Sequence, residues 1–380
     1  MKLAEYKDRL VSCKACGTCS YGRGPNNPFT AEASPSHRCP SLDKYHFMSY
    51  GPRGRLYLAR LLQRGEISID EDLAKIFYTC TDCGMCEELC FHPFTDIIKS
   101  AKVEIAKIGF GPPENNRKAN ENIRKFFNPL GEIGLNRADW ANGMNLPRKA
   151  EVMFFAGCKP SYRQDELAKT AVNLLRQAGV DVGYLNKEEW CCGRPADWDG
   201  QPDIQEIMAM HNIKAMKEAG AKEVVFACPG CYLTFKNEYP EIVGKLPFDV
   251  IHITEYLVQF INSDKFKFEK FAGKVTYHDP CHLGRFAGII DQPRKLIASV
   301  PDIELVEMER HGRFSYCCGN NVDFSNWVAS QRIAEAKKTA NIVITACPRC
   351  VQNLSIASRN EKIGIPVYSI TTFLSNKIKK

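Results

Sequence analysis

Ten cysteines between positions 158 and 350 repeat one pattern twice. Each copy contains a lone cysteine, a Cys-Cys-Gly string and a Cys-Pro-x-Cys string, and equivalent cysteines lie 123, 126 and 119 positions apart, which indicates a duplication with small insertions. The first set consists of Cys158, Cys191, Cys192, Cys228 and Cys231. The second set consists of Cys281, Cys317, Cys318, Cys347 and Cys350. Five thiols per set exceed the four that a tetrahedral zinc ion or a cubane four-iron cluster requires.

Eight further cysteines lie within the first 90 residues and follow a different spacing. The run that starts at Cys80 has the Cys-x2-Cys-x2-Cys-x3-Cys spacing of two-cluster bacterial ferredoxins, in which the fourth cysteine ligates the other cluster. This crossed assignment gives a first quartet of Cys13, Cys16, Cys19 and Cys90. It gives a second quartet of Cys80, Cys83, Cys86 and Cys39. Two zinc knuckles would need cysteine pairs separated by a longer spacer, so the spacing predicts two cubane [4Fe-4S] clusters.

Three histidines, His37, His46 and His92, lie near these quartets in the sequence. Because both quartets are complete, we expect the histidines at the surface or beside a ligand, not on the metal. Residues 20–38 are rich in Gly, Pro, Asn and Ser, so they predict a loop inserted within the motif.

Alternating strands and helices are expected to position the two five-cysteine sets. Apolar runs at 151–158, 224–228, 274–281 and 341–347 each predict a buried strand that ends at a cysteine. Shorter strands are predicted at 180–185 and 303–308, and helices at 162–178, 203–219, 293–299, 324–339 and from about 231. Ligands gather at the carboxyl edge of parallel strands. We therefore expect two similar units whose cysteine edges face each other across a cleft.

The predicted fold class is α/β with an α-rich N-terminal part. Amphipathic helices are predicted at 2–12, 52–64 and 70–79. The expected domains are a helical dicluster ferredoxin-like domain at 1–110 and a polar linker with one short helix at 111–148. Two pseudo-symmetric parallel β/α domains are expected to follow at 149–262 and 263–380.

Composition places the chain among soluble globular proteins. Its 380 residues are 44% hydrophobic and 25% charged, and no run approaches the roughly 18 apolar residues that span a bilayer. The first residues lack the apolar core of a signal peptide, and cysteines in Cys-x-x-Cys runs are typical of metal sites in reducing compartments. We therefore expect a cytoplasmic protein that reaches the inner face of a membrane only through a partner. A formal charge of +7 without a basic run interleaved with aromatics does not favour nucleic-acid binding.

The double cysteine pattern, together with His278-Asp-Pro-Cys281-His-Leu-Gly-Arg285, resembles the cysteine-rich CCG domains of heterodisulfide reductases and related iron–sulfur oxidoreductases. The N-terminal part, including Pro52-Arg-Gly-Arg55, also resembles that family, so the resemblance spans nearly the whole chain. A ferredoxin-like domain fused to two CCG domains is similar to the D-type catalytic subunit of heterodisulfide reductases. The same outline occurs in the C subunit of anaerobic glycerol-3-phosphate dehydrogenase and in iron–sulfur subunits of glycolate and lactate oxidation systems.

This resemblance implies that each five-cysteine set holds a noncubane [4Fe-4S] cluster, which would explain the fifth ligand. Many relatives have lost ligands from one copy, whereas this chain keeps all ten cysteines. One departure is the stretch after the second pair, Gly319-Asn320-Asn321, where relatives often have a run of glycines.

The resemblance further implies an enzyme that reduces a mixed disulfide of the coenzyme M–coenzyme B type when a partner donates electrons. Two cubane clusters would feed two noncubane clusters, and two one-electron sites match the two-electron demand of a disulfide. Because that substrate is anionic, cationic side chains near the cysteines are candidate substrate ligands: Lys159, Arg163, Arg194, Arg285 and Arg349. For any one of them, a hydrogen bond to a carbonyl or a role in offsetting cluster charge is the more common alternative.

His278 and His282 flank Cys281 and are candidate proton donors or structural supports. Trp190 and Trp198 bracket the first Cys-Cys pair and are expected to shield a cluster.

Other functions are open at this point. The chain is alternatively an electron-transfer subunit that relays electrons between a flavoprotein dehydrogenase, of the glycerol-3-phosphate, glycolate, lactate or electron-transfer-flavoprotein type, and a membrane quinone pool. A thioredoxin-like Cys228/Cys231 pair would leave Cys191 and Cys192 without a role, and a structural zinc protein cannot use five-cysteine sites. No nicotinamide- or flavin-binding Gly-x-Gly-x-x-Gly segment occurs, so either function needs a partner, a membrane b-type cytochrome or a flavoprotein.

Overall fold

The N-terminal domain is built from short helices. The computed structural model describes residues 3–21, 39–261 and 263–379, so His37 and nearly all of the expected loop at 20–38 lie outside the described residues. The helical segments of this domain cover Leu3–Tyr6, Lys7–Ser12, Thr18–Tyr21, Pro40–Tyr45, Met48–Tyr50, Pro52–Arg64, Glu71–Tyr78, Met85–Leu89 and Phe94–Lys107. The predicted helix at 2–12 is thus a short 3-10 turn followed by six α-helical residues.

Local sequence signals set the ends of the longer helices. Pro52 occupies the first turn of Pro52–Arg64, and Gly65 ends it with a positive φ of 68°. Asp70 caps Glu71–Tyr78 by accepting a hydrogen bond from the Leu73 backbone N–H at 2.8 Å. The apolar faces of these helices form one small core: Leu56, Ala59, Phe77, Ile97, Ile98 and Ala101.

Residues 111–148 contain more structure than their polar composition predicts. A 13-residue helix covers Glu114–Phe126, and a 3-10 segment covers Gly134–Ala141. Trp140 is 2% exposed and packs edge-on against Phe154 and Tyr184 of the first sheet. This segment therefore packs on the first cysteine-rich unit.

The first cysteine-rich unit is a four-stranded parallel sheet with helices around it. Its strands are β1 (Val152–Phe155), β2 (Val182–Tyr184), β3 (Glu223–Phe226) and β4 (Asp249–His252), in the order β2-β1-β3-β4. Its helical segments cover Cys158–Arg163, Asp165–Gln177, Asn186–Glu188, Arg194–Trp198, Pro202–Glu218, Pro229–Leu233, Thr234–Glu238, Tyr239–Val243, Ile253–Leu257 and Val258–Phe260. Met153, Phe154, Val224 and Val225 are fully buried, as expected for central parallel strands.

The second unit repeats this arrangement. Its strands are β5 (Gly273–His278), β6 (Ile303–Leu305), β7 (Ile342–Thr345) and β8 (Val367–Ser369), in the order β6-β5-β7-β8. Its helical segments cover His282–Phe286, Asp291–Ala298, Gly312–Phe314, Ser325–Thr339, Pro348–Asn360 and Ile370–Ser375. The predicted α/β fold class is confirmed, while the edge strands β4 and β8 were absent from the prediction.

Equivalent strands of the two sheets pair in the same register, as expected for a duplication. Phe154 pairs with Val225 in the first sheet, and Tyr277 pairs with Ile344 in the second. These positions differ by 123 and 119, the offsets of the cysteines that follow the same strands. Each sheet therefore delivers its cysteines to the same carboxyl edge. None of the helices formed by the described residues has the length and apolar character needed to cross a lipid bilayer.

Candidate active site, a cleft lined by ten cysteines

A single cleft contains the carboxyl edges of both sheets. It measures about 1260 Å³ with its open mouth included, and all ten cysteines of the two sets line it. None of the eighteen cysteines, all of which lie in the described residues, forms a disulfide. The two sequence repeats thus converge on one space, as the pattern of strands predicted.

The first set forms a connected group of thiols. The thiol of Cys191 lies close to those of Cys158 and Cys192, and the thiol of Cys231 lies close to those of Cys192 and Cys228. All five side chains are buried or half-buried. A buried, connected group of five thiols is a suitable ligand set for a soft, thiophilic metal centre.

The second set has the same connectivity. The thiol of Cys317 lies close to those of Cys281 and Cys318, and Cys350 hydrogen-bonds to Cys318 with 3.2 Å between the sulfurs. Cys347 lies close to Cys350. His278 adds a nitrogen at this point: its ring and the sulfurs of Cys318 and Cys350 place ligand atoms within 4.8 Å of one another.

The glycine of each Cys-Cys-Gly string has a geometric role. Gly193 N–H points at the sulfur of Cys191 at 3.4 Å, and Gly319 N–H points at the sulfur of Cys317 at 3.3 Å. Gly319 has φ +98°, and a Cβ there would lie 2.5 Å from the backbone oxygen of Ser325. Only glycine fits this turn, which brings a backbone donor to a thiolate.

Two thiol contacts connect different parts of the chain. Cys228 of the first set lies close to Cys347 of the second set, across the cleft. Cys83 of the ferredoxin-like domain packs against the cluster that contains Cys317 and lies close to its thiol. Thiols therefore form a continuous path from the ferredoxin-like domain through the second set to the first.

The N-terminal cysteines interact in two groups. The charges of Cys13, Cys16 and Cys90 act on Cys19, whereas Cys39, Cys80, Cys83 and Cys86 act on one another. Cys16 is exposed, whereas the other seventeen cysteines are buried or half-buried. The first quartet therefore has an edge at the surface.

His92 and Arg55 support the two quartets. His92 is 4% exposed, and its Nδ1 lies 3.2 Å from the sulfur of Cys90. Arg55 is buried and donates to Ile76 O, Ser41 Oγ and Thr79 Oγ1, which ties the segment after Cys39 to the one before Cys80. His46 is exposed and ends helix Pro40–Tyr45 with a positive φ of 57°.

A buried ion pair fixes the loop that carries Cys158. The Glu189 carboxylate accepts hydrogen bonds from the backbone N–H groups of Ala156 at 2.7 Å and Gly157 at 2.9 Å, and from Arg137 at 2.6 Å. Burial raises the pKa of Glu189, so this group depends on those three donors to remain ionised. Arg137 also donates to the sulfur of Cys158 at 3.6 Å.

A different buried arginine, Arg332, supports the second set. Arg332 is fully buried, and its Nε donates to His278 Nδ1 at 3.0 Å. Because a guanidinium only donates, His278 Nδ1 must accept and the ring proton must lie on Nε2, on the other side of the ring. Burial lowers the pKa of His278, which keeps it neutral. The two five-cysteine sets thus have unequal surroundings.

The five candidate substrate cations occupy different places. Lys159 and Arg349 line the cleft, and Arg349 donates to Asn321 Oδ1 at 3.3 Å. Burial, with repulsion from Arg349, lowers the pKa of Lys159 to about 7. Arg163 is paired with Glu132 at 2.5 Å, outside the cleft lining. Arg285 is buried and donates to the carbonyls of Cys83, Arg313 and Ser315.

Arg194 and His282 meet where the three domains join. Arg194 lines the cleft but is paired with Glu238 and, at 2.8 Å, with Asp82 of the ferredoxin-like domain. His282 also lines the cleft, and its Nε2 lies 3.1 Å from Asp82 Oδ2. Burial opposes ionisation of Asp82, but Arg194 and His282 hold its pKa at about 2. Burial and the positive charge of Arg194 lower the pKa of His282. Cys281 and Asp82 act in the opposite direction and outweigh them, so the pKa of His282 is raised.

The side chains of Asn320 and Asn321, which follow the second Cys-Cys-Gly string, make defined hydrogen bonds. Asn320 donates to the carbonyl of Thr81 at 3.0 Å, and Asn321 donates to Asn116 Oδ1 at 3.0 Å. These two amides attach the second unit to the ferredoxin-like domain and to helix Glu114–Phe126. Asn321 also lies at the cleft lining.

Aromatic side chains close the remaining walls. Trp190 stacks between Phe127 and His211, with ring centroids at 3.6 and 3.4 Å, and packs beside Cys158 and Cys191. Trp198 lines the cleft itself.

Four buried charged residues were absent from the sequence predictions: Lys102, Arg137, Glu189 and Arg332. Each of them lies in a polar segment that has the appearance of an exposed one.

The described residues fit iron–sulfur clusters. The thiols fall into two groups of four and two groups of five, and in the groups of five backbone N–H groups, Arg137 and His278 face the sulfurs. Donors of this kind stabilise thiolates and set the potentials of such centres.

Family models match the three parts of the chain. Residues 152–236 and 275–355 each match the cysteine-rich CCG domain, and residues 9–93 match the 4Fe-4S dicluster domain. The chain is therefore an iron–sulfur protein, and the resemblance drawn from its motifs is confirmed.

Similar proteins include components of several reductases. The chain is 31% identical to the D subunit of the dihydromethanophenazine:CoB–CoM heterodisulfide reductase of Methanosarcina mazei, over 97% of this chain and 94% of the relative. It is 30% identical to the B subunit of the fumarate reductase (CoM/CoB) of Methanothermobacter marburgensis, over 96% of this chain and 72% of the relative. It is 29% identical to the EtfAB:quinone oxidoreductase of Syntrophomonas wolfei, over 73% of this chain and 43% of the relative. The chain belongs to the family of heterodisulfide reductase D subunits and is an iron–sulfur oxidoreductase of that type.

Proposed function

We propose that the chain reduces a mixed disulfide of the coenzyme M–coenzyme B type in the ten-cysteine cleft. The proposal assigns a noncubane [4Fe-4S] cluster to each five-cysteine set and a cubane [4Fe-4S] cluster to each quartet. Its main support is that both sets are complete and line the same cleft. The reaction consumes two electrons and two protons, breaks one S–S bond and releases two thiols. When bound, iron–sulfur clusters supply single electrons, so two facing sites meet this demand.

The order of the thiol groups supports a direction for the electrons. Cys16 gives the first quartet an exposed edge where a partner can dock. The Cys83–Cys317 contact then connects the second quartet to the second set, and the Cys347–Cys228 contact connects the two sets. The expected partner is an electron-donating subunit, either a membrane b-type cytochrome or a flavoprotein. A membrane-bound partner would also place the chain at the inner face of the membrane.

Residues of the cleft have distinct roles in this proposal. Lys159 and Arg349 bind an anionic group of the substrate, because both line the cleft and Arg349 makes one side-chain hydrogen bond there. His282, which Asp82 orients, holds a proton at the cleft wall. Arg163 and Arg285 are given structural roles, since their charges are committed to Glu132 and to backbone carbonyls. Trp190 keeps water from the first set.

A second function is supported by the relative named EtfAB:quinone oxidoreductase. In that case the chain relays electrons between a flavoprotein and a quinone pool and binds no disulfide. The two functions differ in the final acceptor, which can be measured directly.

The test uses anaerobically purified protein that carries about 16 iron atoms, four per cluster. The protein is reduced with a one-electron viologen dye and then offered a disulfide or a quinone in separate reactions. The proposal expects two thiols for every two electrons consumed. Electron transfer to the quinone with no thiol released from any disulfide would replace this proposal with the relay.

A further inference from the structure

Lys102 is a buried lysine in the wall of the cleft. It belongs to helix Phe94–Lys107, is 1% exposed, and lines the same cleft as the ten cysteines. Its ammonium lies 3.8 Å from the ring centroid of Trp198 and 5.1 Å from that of Tyr78. Both rings also line the cleft. The roles assigned above make no use of this charge.

The ammonium of Lys102 lacks an anionic partner within the described parts of the chain. No hydrogen bond or ion pair of its Nζ is found among those residues. Asp199 is the carboxylate that acts on it most strongly, yet its oxygens accept hydrogen bonds from Asn116 at 2.9 Å and Asn120 at 3.2 Å. A buried charge without a hydrogen-bond acceptor is costly, and two cation–π contacts offset only part of that cost.

The surroundings nevertheless keep Lys102 charged at neutral pH. Burial lowers its pKa to about 8, while Asp199, Cys80 and Asp82 act in the opposite direction. An ammonium that is mostly protonated and poorly solvated, in the wall of a cleft, is a strong site for an anion.

We propose that Lys102 binds an anionic group, a carboxylate, sulfonate or phosphate, on one half of the disulfide. This inference rests on the proposed function and deepens it. Lys102 belongs to the ferredoxin-like domain, whereas Lys159 and Arg349 belong to the two cysteine-rich units. The cleft therefore presents cations from separate walls.

The other role open to Lys102 is to offset the negative charge of the second quartet, because Cys80 acts on it. The two roles differ in one respect. Offsetting cluster charge affects every substrate equally, whereas anion binding affects only substrates that carry an anion.

The test measures binding in the absence of turnover. Oxidised, iron-loaded protein is titrated calorimetrically with 3,3′-dithiodipropionate, a dicarboxylate disulfide, and with neutral bis(2-hydroxyethyl) disulfide. Lys102→Met is expected to raise the Kd of the dicarboxylate about tenfold or more and to leave that of the neutral disulfide unchanged. Lys107→Met, an exposed position of the same helix, is the matched control and should change neither Kd.

The outcomes separate the two proposals. An equal loss of affinity for both disulfides, or an unchanged Kd for the dicarboxylate, would overturn the anion-binding role of Lys102. The proposed function would stand in either case, because the unaltered protein would still bind a disulfide. If the unaltered protein binds neither disulfide, both proposals fail together. Lys102→Arg keeps the charge and should restore most of the binding, so it replaces the methionine variant as the probe if that variant loses iron. In that case, a preference of the arginine variant for the neutral disulfide contradicts the inference.

Discussion

Cys83 of the ferredoxin-like domain packs against the apolar cluster that contains Cys317 of the second cysteine-rich unit, and the two thiols interact. The first set connects to this path through the Cys347–Cys228 contact. Although the two units share one fold, they therefore occupy unequal positions relative to the ferredoxin-like domain. In the proposed function, electrons reach the second set before the first.

This asymmetry predicts different behaviour for two pseudo-equivalent variants, Cys317→Ser and Cys191→Ser. Each should lose the iron of one site, about a quarter of the total if each of four clusters holds four irons. In Cys191→Ser, reduction of the second set by the dye should remain fast, because its contact with Cys83 is intact. In Cys317→Ser, reduction of the first set should slow strongly. Stopped-flow absorbance measures both rates, and equal rates in the two variants would contradict the proposed order.

The buried Arg137–Glu189 pair predicts a large stability effect. Glu189→Ala leaves the buried charge of Arg137 without its carboxylate and two backbone N–H groups without an acceptor, so we expect a loss of about 3–5 kcal/mol in the free energy of unfolding. Glu151→Ala removes the partner of Lys222 in an exposed pair and should cost less than about 1 kcal/mol. Denaturant unfolding under anaerobic conditions gives both values. Similar losses for the two variants would show that the buried pair is not what holds the Cys158 loop.

The Gly319 turn predicts a position-specific effect of a single methyl group. Gly319→Ala places a Cβ 2.5 Å from Ser325 O and should cost about 2–4 kcal/mol. Gly220→Ala is the control, because Gly220 also has a positive φ but no atom lies within 4 Å of its added Cβ; about 1 kcal/mol is expected there. Thermal unfolding and iron content check the pair. Retention of full stability by Gly319→Ala would mean that the turn relaxes freely.

Arg349 and Arg285 should separate substrate binding from folding. Arg349→Met is expected to raise KM for an anionic disulfide several-fold without changing the melting temperature, because among the described residues the side chain of Arg349 hydrogen-bonds only to Asn321. Arg285→Met should lower the melting temperature, because three carbonyls lose a charged donor. Steady-state kinetics and thermal unfolding check the two variants side by side. If Arg285→Met raises KM and leaves the melting temperature unchanged, the assignments must be exchanged.

Much of the fold follows from local patterns in the sequence. The apolar runs before Cys158, Cys228, Cys281 and Cys347 predicted the four central strands, since strands buried on both faces must be continuously apolar. The edge strands β4 and β8 were missed because they are four and three residues long and include exposed positions such as Asp249 and Tyr368.

The supporting charges could not be predicted in the same way. Glu189 follows Lys187 and Glu188 and precedes Trp190, so the local sequence has the appearance of an exposed turn. Its burial depends on Arg137, 52 positions earlier, and on the strand end at Ala156. Lys102 likewise lies in an amphipathic helix, and only the packing of Trp198 over that helix encloses it. Long-range contacts of this kind leave no periodic signal.

The central claim is that a disulfide is cleaved within the ten-cysteine cleft. The most direct measurement is electron paramagnetic resonance of the oxidised, iron-loaded protein with and without a thiol product. If the cleft cleaves a disulfide, we expect a paramagnetic signal that appears only with the thiol and broadens when the thiol carries sulfur-33. Full iron content with no response to any thiol would contradict it and leave the chain as an electron relay.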